Sequence, residues 1–236
     1  MSTSSRATLS ERKKEAARVA EQHYDSDYLK MLQKGDAGIE HRRTYLFKPY
    51  IEPQHSVLDF GCGPGSLLDT LIAKRKCGVE ITEASREVAA GRGIDVRPGL
   101  DDFEGETFDR IISSHCLEHV LDPAETLMAI RQHLAADGLF ILLLPMNEWG
   151  HRPQRTYDPD EINKHLFTWT PLVFGNLLTV CGYEVQDVRA VHFWHPPKVG
   201  RLLMKVPPLY RAVGGVYSRL VPRRQVLAVC GRGQAD

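Results

Sequence analysis

The stretch Val57-Leu-Asp-Phe-Gly-Cys-Gly-Pro-Gly65 decides the fold that this sequence predicts. Its apolar first half indicates a buried strand over 56–60. Its glycines indicate a tight loop, because glycine has no Cβ and tolerates positive φ. A helix is expected from Ser66 to about Lys74, with four apolar residues on the face that packs against the sheet. These residues are Leu67, Leu68, Leu71 and Ile72. A loop of this kind lets a ligand approach the backbone closely.

The spacing of the glycines separates two classes of nucleoside-binding loop. The pattern here is G-x-G-x-G, whereas the dinucleotide fingerprint is G-x-G-x-x-G. The next predicted strand, 77–81, brings Glu80 to its carboxyl end, where an acid can accept hydrogen bonds from both hydroxyls of a ribose. An acid about twenty residues beyond the glycines also suits NAD. Glu80 by itself therefore indicates a nucleoside and leaves its identity open.

Alternating strands and helices follow, which is the pattern of an α/β fold. Strands are predicted at 94–97, 108–113, 139–144, 183–192 and 225–231. Helices are predicted at 38–50, 83–90, 123–136 and 171–180, with Gly138 ending the third. Thr82, Asp122 and Thr170 are expected to cap the last three helices, since each carries a side-chain oxygen just before the helix begins. The apolar run 139–144 is typical of a central strand buried on both faces.

Four segments, in this order and spacing, resemble the class I S-adenosylmethionine-dependent methyltransferases. They are 57–65, Glu80, 108–123 and 134–145. The likeness spans roughly 45–190 and is greatest to small-molecule methyltransferases typified by the ubiquinone-biosynthesis O-methyltransferases, which carry a segment similar to Leu-Glu-His-Val at 117–120. A second likeness is to MetW-type proteins. The resemblance implies a Rossmann-like seven-stranded sheet with helices on both faces, an antiparallel last strand, and S-adenosyl-L-methionine as cofactor.

The resemblance also implies where the cofactor binds. The glycine loop would approach its methionyl end, Asp59 would order that loop or reach the amino group, and Glu80 would hold the ribose. In the loop 98–103 the candidate for the adenine amino group is Asp101, with Asp102 as the fallback. The full expected set is Asp59, Gly61, Cys62, Gly63, Gly65, Glu80, Ile81, Asp101, Ser114 and His115.

A hydroxyl acceptor must lose a proton when it is methylated, and His119 is the candidate base. An imidazole titrates near neutral pH, and this one follows a predicted strand at the edge of the sheet where open α/β folds bind ligands. Glu118 would orient His119 or bind the acceptor. Both are expected in an open loop that faces the cleft. Other candidates for the base are His115, His151 and His165, and the alternative is that His119 is only a structural residue. Glu118 and His119 lack a clear third ligand, so no metal site is predicted.

Composition limits the class of protein. The 236 residues are 42% hydrophobic and 25% charged, which suits one globular domain. A formal net charge of +0 provides no overall field to attract nucleic acid. Five cysteines without a C-x-x-C pair argue against a disulfide framework and a zinc site. Neither an apolar leader nor an apolar run of about 18 residues is present, so a cytoplasmic location is expected.

One segment of the chain precedes the expected methyltransferase domain, 46–236, and another interrupts it. An N-terminal helical lid segment is expected over 1–45, with Tyr24 and Tyr28 as lid residues or as packing tyrosines. The segment 194–224 is a basic amphipathic insertion before the last strand, because no Asp or Glu lies between Val188 and Ala235. Four interpretations of this segment are open: a lid, a surface that contacts an anionic lipid or phosphorylated substrate, a contact with a second subunit, or a solvated helix pair. The polar stretch 146–160 is expected to form a substrate wall.

The sequence therefore predicts methyl transfer from S-adenosyl-L-methionine to a small-molecule acceptor. The expected target is an oxygen of a phenolic, sugar-like or lipid-linked intermediate. Two alternatives remain open: a non-catalytic, MetW-like partner protein, and an NAD-dependent oxidoreductase, against which the glycine spacing counts.

Overall fold

The fold is centred on one seven-stranded sheet. The computed structural model describes residues 39–146, 157, 164–192, 213 and 224–234. The strands are β1 (Ser56–Phe60), β2 (Arg75–Val79), β3 (Asp95–Arg97), β4 (Phe108–Ser114), β5 (Leu134–Pro145), β6 (Glu184–His192) and β7 (Arg224–Gly231). Their order in the sheet is β3-β2-β1-β4-β5-β7-β6. The first five strands in this order pair in parallel, and β7 is antiparallel to both of its neighbours. The predicted fold class is confirmed.

Five helices lie in the described residues. They are α1 (Ile39–Phe47), α2 (Ser66–Asp69), α3 (Glu83–Ala90), α4 (Pro123–Gln132) and α5 (Pro171–Val180), with 3₁₀ turns at Lys48–Tyr50, Asp101–Phe103 and Leu117–His119. Two of the predicted caps are present. The Asp122 carboxylate accepts a hydrogen bond from the Glu125 amide at 3.0 Å, and the Thr170 hydroxyl accepts one from the Val173 amide at 3.3 Å. Each satisfies an amide in a helical first turn that has no partner within the helix.

The third predicted cap is wrong. Thr82 precedes α3 but makes no capping hydrogen bond. Its hydroxyl donates to the Glu80 carboxylate instead, because a charged acceptor two residues back is a stronger partner than a helix amide.

The helix α2 is shorter than predicted, ending at Asp69 instead of about Lys74. The Thr70 hydroxyl bonds to the Leu67 carbonyl, and the Leu71 amide bonds to the Leu68 carbonyl with the tighter i to i+3 spacing. The chain then turns toward β2, which begins two residues before its predicted start. Leu67, Leu68 and Leu71 are buried as predicted, but Ile72 is 71% exposed.

The boundary between α4 and β5 also differs from the prediction. The helix ends at Gln132 and the strand begins at Leu134, so Gly138 lies inside a strand and does not end the helix. The cause is pairing with β4: Phe108 pairs with Leu134 while Arg110 pairs with Leu139, so the chain between the two partners bulges. Leu134 is fully buried in this arrangement, and its burial outweighs the helix propensity of the two alanines that follow.

Helices cover both faces of the sheet, and β5 shows how the core divides between them. Phe140, Leu142 and Leu144 belong to the cluster that contains α4 and α5. Ile141 and Leu143 belong to the cluster that contains α1, α2 and α3. Side chains of a strand alternate between faces, so an uninterrupted apolar run is buried on both sides, as predicted for the centre of this sheet.

Several predictions from the sequence fall outside the described residues. They concern most of the lid segment 1–45 with Tyr24 and Tyr28, most of the stretch 146–160 with His151, and the insertion 194–224 except Val213 and Arg224. The division into 1–45 and 46–236 stays a prediction. Within the residues that are described, no helix combines the length and the apolar character needed to cross a membrane.

A buried hydrogen bond joins α4 to the start of β6. The Tyr183 hydroxyl donates to the Leu127 carbonyl at 2.7 Å, and Tyr183 is 4% exposed. We expect Tyr183→Phe to lower the free energy of unfolding by about 1–2 kcal/mol, because the bond is lost without a water replacing it. Urea unfolding of both proteins measures this change. The control is Tyr157→Phe, which removes a hydroxyl from a residue that is 92% exposed and should leave the midpoint unchanged. Equal midpoints for all three proteins would contradict the prediction.

Candidate functional site

The glycine loop after β1 has the conformation that its sequence predicts. Gly61, Gly63 and Gly65 have φ values of +78°, +52° and +77°, which side chains with a Cβ rarely adopt. The Gly61 and Cys62 amides both donate to the Val79 carbonyl, at 2.9 and 3.0 Å. The loop is thereby fixed to the carboxyl end of β2.

The three glycines have different surroundings. A Cβ built at Gly61 would overlap the Cys116 side chain, and one at Gly65 would overlap the Ile94 side chain. At Gly63 a Cβ would meet nothing within 4 Å. Packing within the protein therefore restricts Gly61 most, because the overlap at Gly65 is with the far end of the Ile94 side chain, whereas Gly63 borders open space. A ligand can approach the backbone at this position.

Glu80 lies opposite the loop, immediately after β2. One carboxylate oxygen accepts a hydrogen bond from the Gly63 amide at 3.0 Å, and the other accepts from the Thr82 amide at 2.9 Å and from the Thr82 hydroxyl. A carboxylate offers about four acceptor positions, so capacity remains for a hydroxyl of a ligand. Arg86 donates to the carbonyls of Glu80 and of Ile81, whose side chain is 41% exposed. Glu80 thus orders the glycine loop and faces the same space.

Neutral thiols and one buried acid lie beneath the loop. Asp59 is 2% exposed in β1, between Gly78 of β2 and Ile112 of β4. Burial raises the pKa of the Cys62 thiol, and the carboxylates of Asp59 and Glu80 raise it further. Burial and then nearby carboxylates also raise the pKa of the Cys116 thiol. Both thiols are therefore protonated and unreactive at neutral pH.

Asp101 is not brought to this end of the sheet by any contact in the described residues. It lines a cavity of about 390 Å³ with Glu106, Thr107 and His133, which precede β4 and β5 at the amino ends of those strands. The carboxylate of Asp102, the fallback, accepts a hydrogen bond from the Gly99 amide at 2.9 Å. The adenine role of Asp101 stays a prediction.

Ser114 and His115, at the end of β4, are held by residues that the sequence analysis did not identify. Arg43 of α1 donates to the Ser114 hydroxyl at 3.4 Å. His115 has a φ of +55°, and the side-chain amide of Gln225, a fully buried residue of β7, donates to His115 Nε2 at 2.9 Å. Burial keeps the ring neutral by holding the pKa of His115 well below its ordinary value.

Glu118 differs most from its predicted environment. The sequence predicts it in an open loop facing the cleft, but it lies in a 3₁₀ turn and is 0% exposed. Neither carboxylate oxygen has a hydrogen-bond partner in the part of the chain that the structure describes. Burial raises the pKa of this carboxyl, and the neighbouring His119 acts in the opposite sense. The buried side chain cannot contact an acceptor directly, so a role for Glu118 must run through its neighbours.

Three histidines surround that carboxylate. Oε1 of Glu118 is 3.4 Å from Nδ1 of His115, 3.9 Å from Nε2 of His119 and 3.9 Å from Nε2 of His165. The rings of His119 and His165 pack edge to face with centroids 4.8 Å apart. We call Glu118, His119 and His165 the carboxylate–histidine cluster.

The backbone brings His165 to this cluster. The amides of Leu166 and Phe167 donate to the Glu118 carbonyl at 2.9 and 3.3 Å, so the segment before α5 is fixed to the turn after β4. The sequence indicates His165 only as an alternative base, because no local pattern relates it to Glu118. The structure thus supplies a third candidate ligand, whose absence was the reason for predicting no metal site.

Known proteins that are similar to this chain identify its family and its fold. A family model described as a methyltransferase domain matches residues 30–188. A curated relative, the uncharacterized 37.1 kDa protein in transposon TN4556 of Streptomyces fradiae, is 29% identical over an alignment of 128 positions, which covers 49% of this chain and 37% of the relative. The chain thus spans little more than a third of the length of that relative.

Two solved structures show the same fold at low identity. The methyltransferase in complex with the Haloferax volcanii Trm112 activator has a TM-score of 0.63 at 17% identity, covering 89% of this chain and 95% of that one. The plantazolicin methyltransferase BpumL in complex with SAH has a TM-score of 0.60 at 15% identity, covering 97% of this chain and 100% of that one. At these identities the likeness establishes the fold.

Proposed function

The chain belongs to the methyltransferase domain family, and from that membership we propose that it transfers a methyl group from S-adenosyl-L-methionine to an oxygen of a small-molecule acceptor. The domain is that of an S-adenosylmethionine-dependent methyltransferase, so the predictions of superfamily and cofactor are confirmed. The choice of an oxygen, and of a phenolic, sugar-like or lipid-linked acceptor, is the proposed part.

The geometry of the glycine loop supports this choice of cofactor. Gly63 leaves open space where another residue would place a side chain, and the Glu80 carboxylate, which accepts from the Gly63 amide, has acceptor capacity remaining. We propose that the loop receives the methionyl end and that Glu80 accepts a hydrogen bond from a ribose hydroxyl. When bound, the cofactor supplies an electrophilic methyl group, and the chain contributes mainly by positioning the acceptor.

The carboxylate–histidine cluster is the observation that supports an oxygen as the methyl acceptor. Its turn directly follows Cys116, which packs against Gly61 of the glycine loop. The side chains of His119 and His165 are 18% and 20% exposed, so both can meet a bound molecule. A hydroxyl must lose its proton to accept a methyl group. We propose His119 for that step, with the buried Glu118 orienting it.

Calorimetric titration with S-adenosylhomocysteine, with NAD in parallel, tests the cofactor. We expect micromolar binding of S-adenosylhomocysteine and none of NAD. An acceptor panel then compares phenols, sugars and lipid-linked alcohols with amines of matched shape, reading the release of S-adenosylhomocysteine. Transfer to amines alone would overturn the choice of oxygen. Cofactor binding without transfer to any acceptor would favour the MetW-like partner role.

The variant His119→Ala tests the proposed catalytic residue. Transfer to the best oxygen acceptor should fall by a factor of about 100 or more, since general-base catalysis contributes about 10²–10⁴-fold. Its affinity for S-adenosylhomocysteine should be unchanged, because the residue lies outside the proposed cofactor contacts. Full activity would show that His119 is a structural residue.

A further inference from the structure

We propose that the chain forms a homodimer through β6, the strand at one edge of the sheet, and α5, the helix that packs on it. In this dimer the two β6 strands pair in antiparallel fashion about a two-fold axis at Val188. The proposal does not depend on the methyl acceptor or on the cofactor.

β6 is an edge strand with an accessible side. Its nine residues, Glu184–His192, pair with β7 on one side, and no strand in the described part of the chain pairs with the other. The side chains of Asp187 and Arg189 are 35% and 51% exposed. An edge strand presents backbone amides and carbonyls that can pair with a strand of another chain.

The charges near the middle of β6 favour a second copy of the same strand as the partner. Asp187 and Arg189 are two residues apart, so their side chains lie on one face of the sheet, where they form an ion pair. When Val188 lies opposite its own copy, Asp187 of each strand lies opposite Arg189 of the other. The four charges then alternate in sign both along and across the strands. Opposite charges across antiparallel strands stabilise the pairing.

The same charges fix the register of the two strands. A two-fold axis perpendicular to the sheet places one residue opposite its own copy. With the axis at Asp187 or at Arg189, like charges would lie directly opposite each other, which destabilises the pairing. The bulge at Gln186 lies just outside the three central residues, which are in regular register with β7. Val188 is therefore the centre at which both charges are matched.

The helix α5 adds an uncharged apolar surface beside this axis. A Cβ built on Gly175 would lie 3.8 Å from Cγ2 of Val188, so the helix packs on the strand at the proposed axis. None of its ten residues is charged, and Leu172, Val173 and Val180 are 74%, 55% and 84% exposed. Rotation about the axis keeps both α5 helices on the same face of the joined sheet. Exposed apolar residues that are grouped in this way mark surfaces that a partner covers.

Sedimentation equilibrium of the purified full chain, over a range of concentrations, tests the proposal. We expect twice the mass of one chain at high concentration. Asp187→Arg and Arg189→Asp should each weaken self-association by a factor of about 10–100, because each places like charges opposite each other at two positions. The double variant should dimerise as the unchanged protein does. The control is Glu87→Arg, a charge reversal at an exposed residue of α3, which packs beside the other edge strand, β3.

A mixture of the two single variants tests whether the partner is a second copy. One variant carries two arginines at positions 187 and 189 and the other two aspartates, so a heterodimer has opposite charges at every pair. The mixture should reach the dimeric mass at concentrations where each variant alone is monomeric. Circular dichroism shows that each variant is folded. A chain that stays monomeric at its highest soluble concentration, or a dimer that neither single variant weakens, would overturn the proposal.

Discussion

Gly61→Ala is expected to lower the free energy of unfolding by about 2–5 kcal/mol, from a left-handed backbone and an overpacked contact. The new Cβ would overlap Sγ of Cys116 and lie 2.6 Å from its Cβ, in a backbone with φ at +78°. Gly63→Ala should lose only about 1–2 kcal/mol, the cost of the left-handed conformation, because nothing lies within 4 Å of its Cβ. Chemical unfolding of both variants measures the difference.

The effects of the two substitutions on cofactor affinity should follow the opposite order to their effects on stability, with Gly63→Ala the more damaging. Gly63→Ala places a methyl group in the open space proposed for the cofactor, so its affinity for S-adenosylhomocysteine should fall sharply in a folded protein. Adding Cys116→Gly to Gly61→Ala should restore part of the stability, since it removes the atoms that the new Cβ overlaps. Equal stability losses in Gly61→Ala and Gly63→Ala would show that packing against Cys116 is not what requires Gly61.

Glu80→Gln is expected to weaken binding of S-adenosylhomocysteine about 100-fold, because hydrogen bonds to a charged acceptor contribute about 1.5–3 kcal/mol each. The glutamine side chain also presents an N–H donor toward the backbone amides of Gly63 and Thr82. In the unchanged protein these two amides donate to the Glu80 carboxylate. Both the proposed ribose contact and the order of the glycine loop are affected. Titration calorimetry measures the affinity.

The matched control is Glu83→Gln, which makes the same change of charge at an exposed acid in the first turn of α3. Its affinity should equal that of the unchanged protein. If Glu80→Gln also binds normally, the ribose assignment is wrong.

Features that depend on a few neighbouring residues were predicted correctly. The glycines after β1 adopt positive φ because their own sequence permits it, and Asp122 and Thr170 cap α4 and α5 from just outside each helix. The uninterrupted apolar run of β5 indicates a strand buried on both faces wherever that strand lies. These signals are local, so they can be predicted from the sequence alone.

The sequence did not predict the helix and strand boundaries that are set by pairing between distant segments. β5 begins at Leu134 because Phe108 of β4 is its partner, and α2 ends early because the chain must reach β2. Local propensity favours a longer helix in both places, and tertiary contacts override it.

The sequence by itself determined the superfamily, the fold class and the glycine loop, since each follows from short patterns in a recognisable order. Only the tertiary structure decided the surroundings of Glu118. Its burial, the approach of His165 and the hydrogen bond from Gln225 to His115 each join residues that are remote in the chain. Burial and electrostatic environment arise from packing in three dimensions, and no spacing along the sequence encodes which distant side chains will meet.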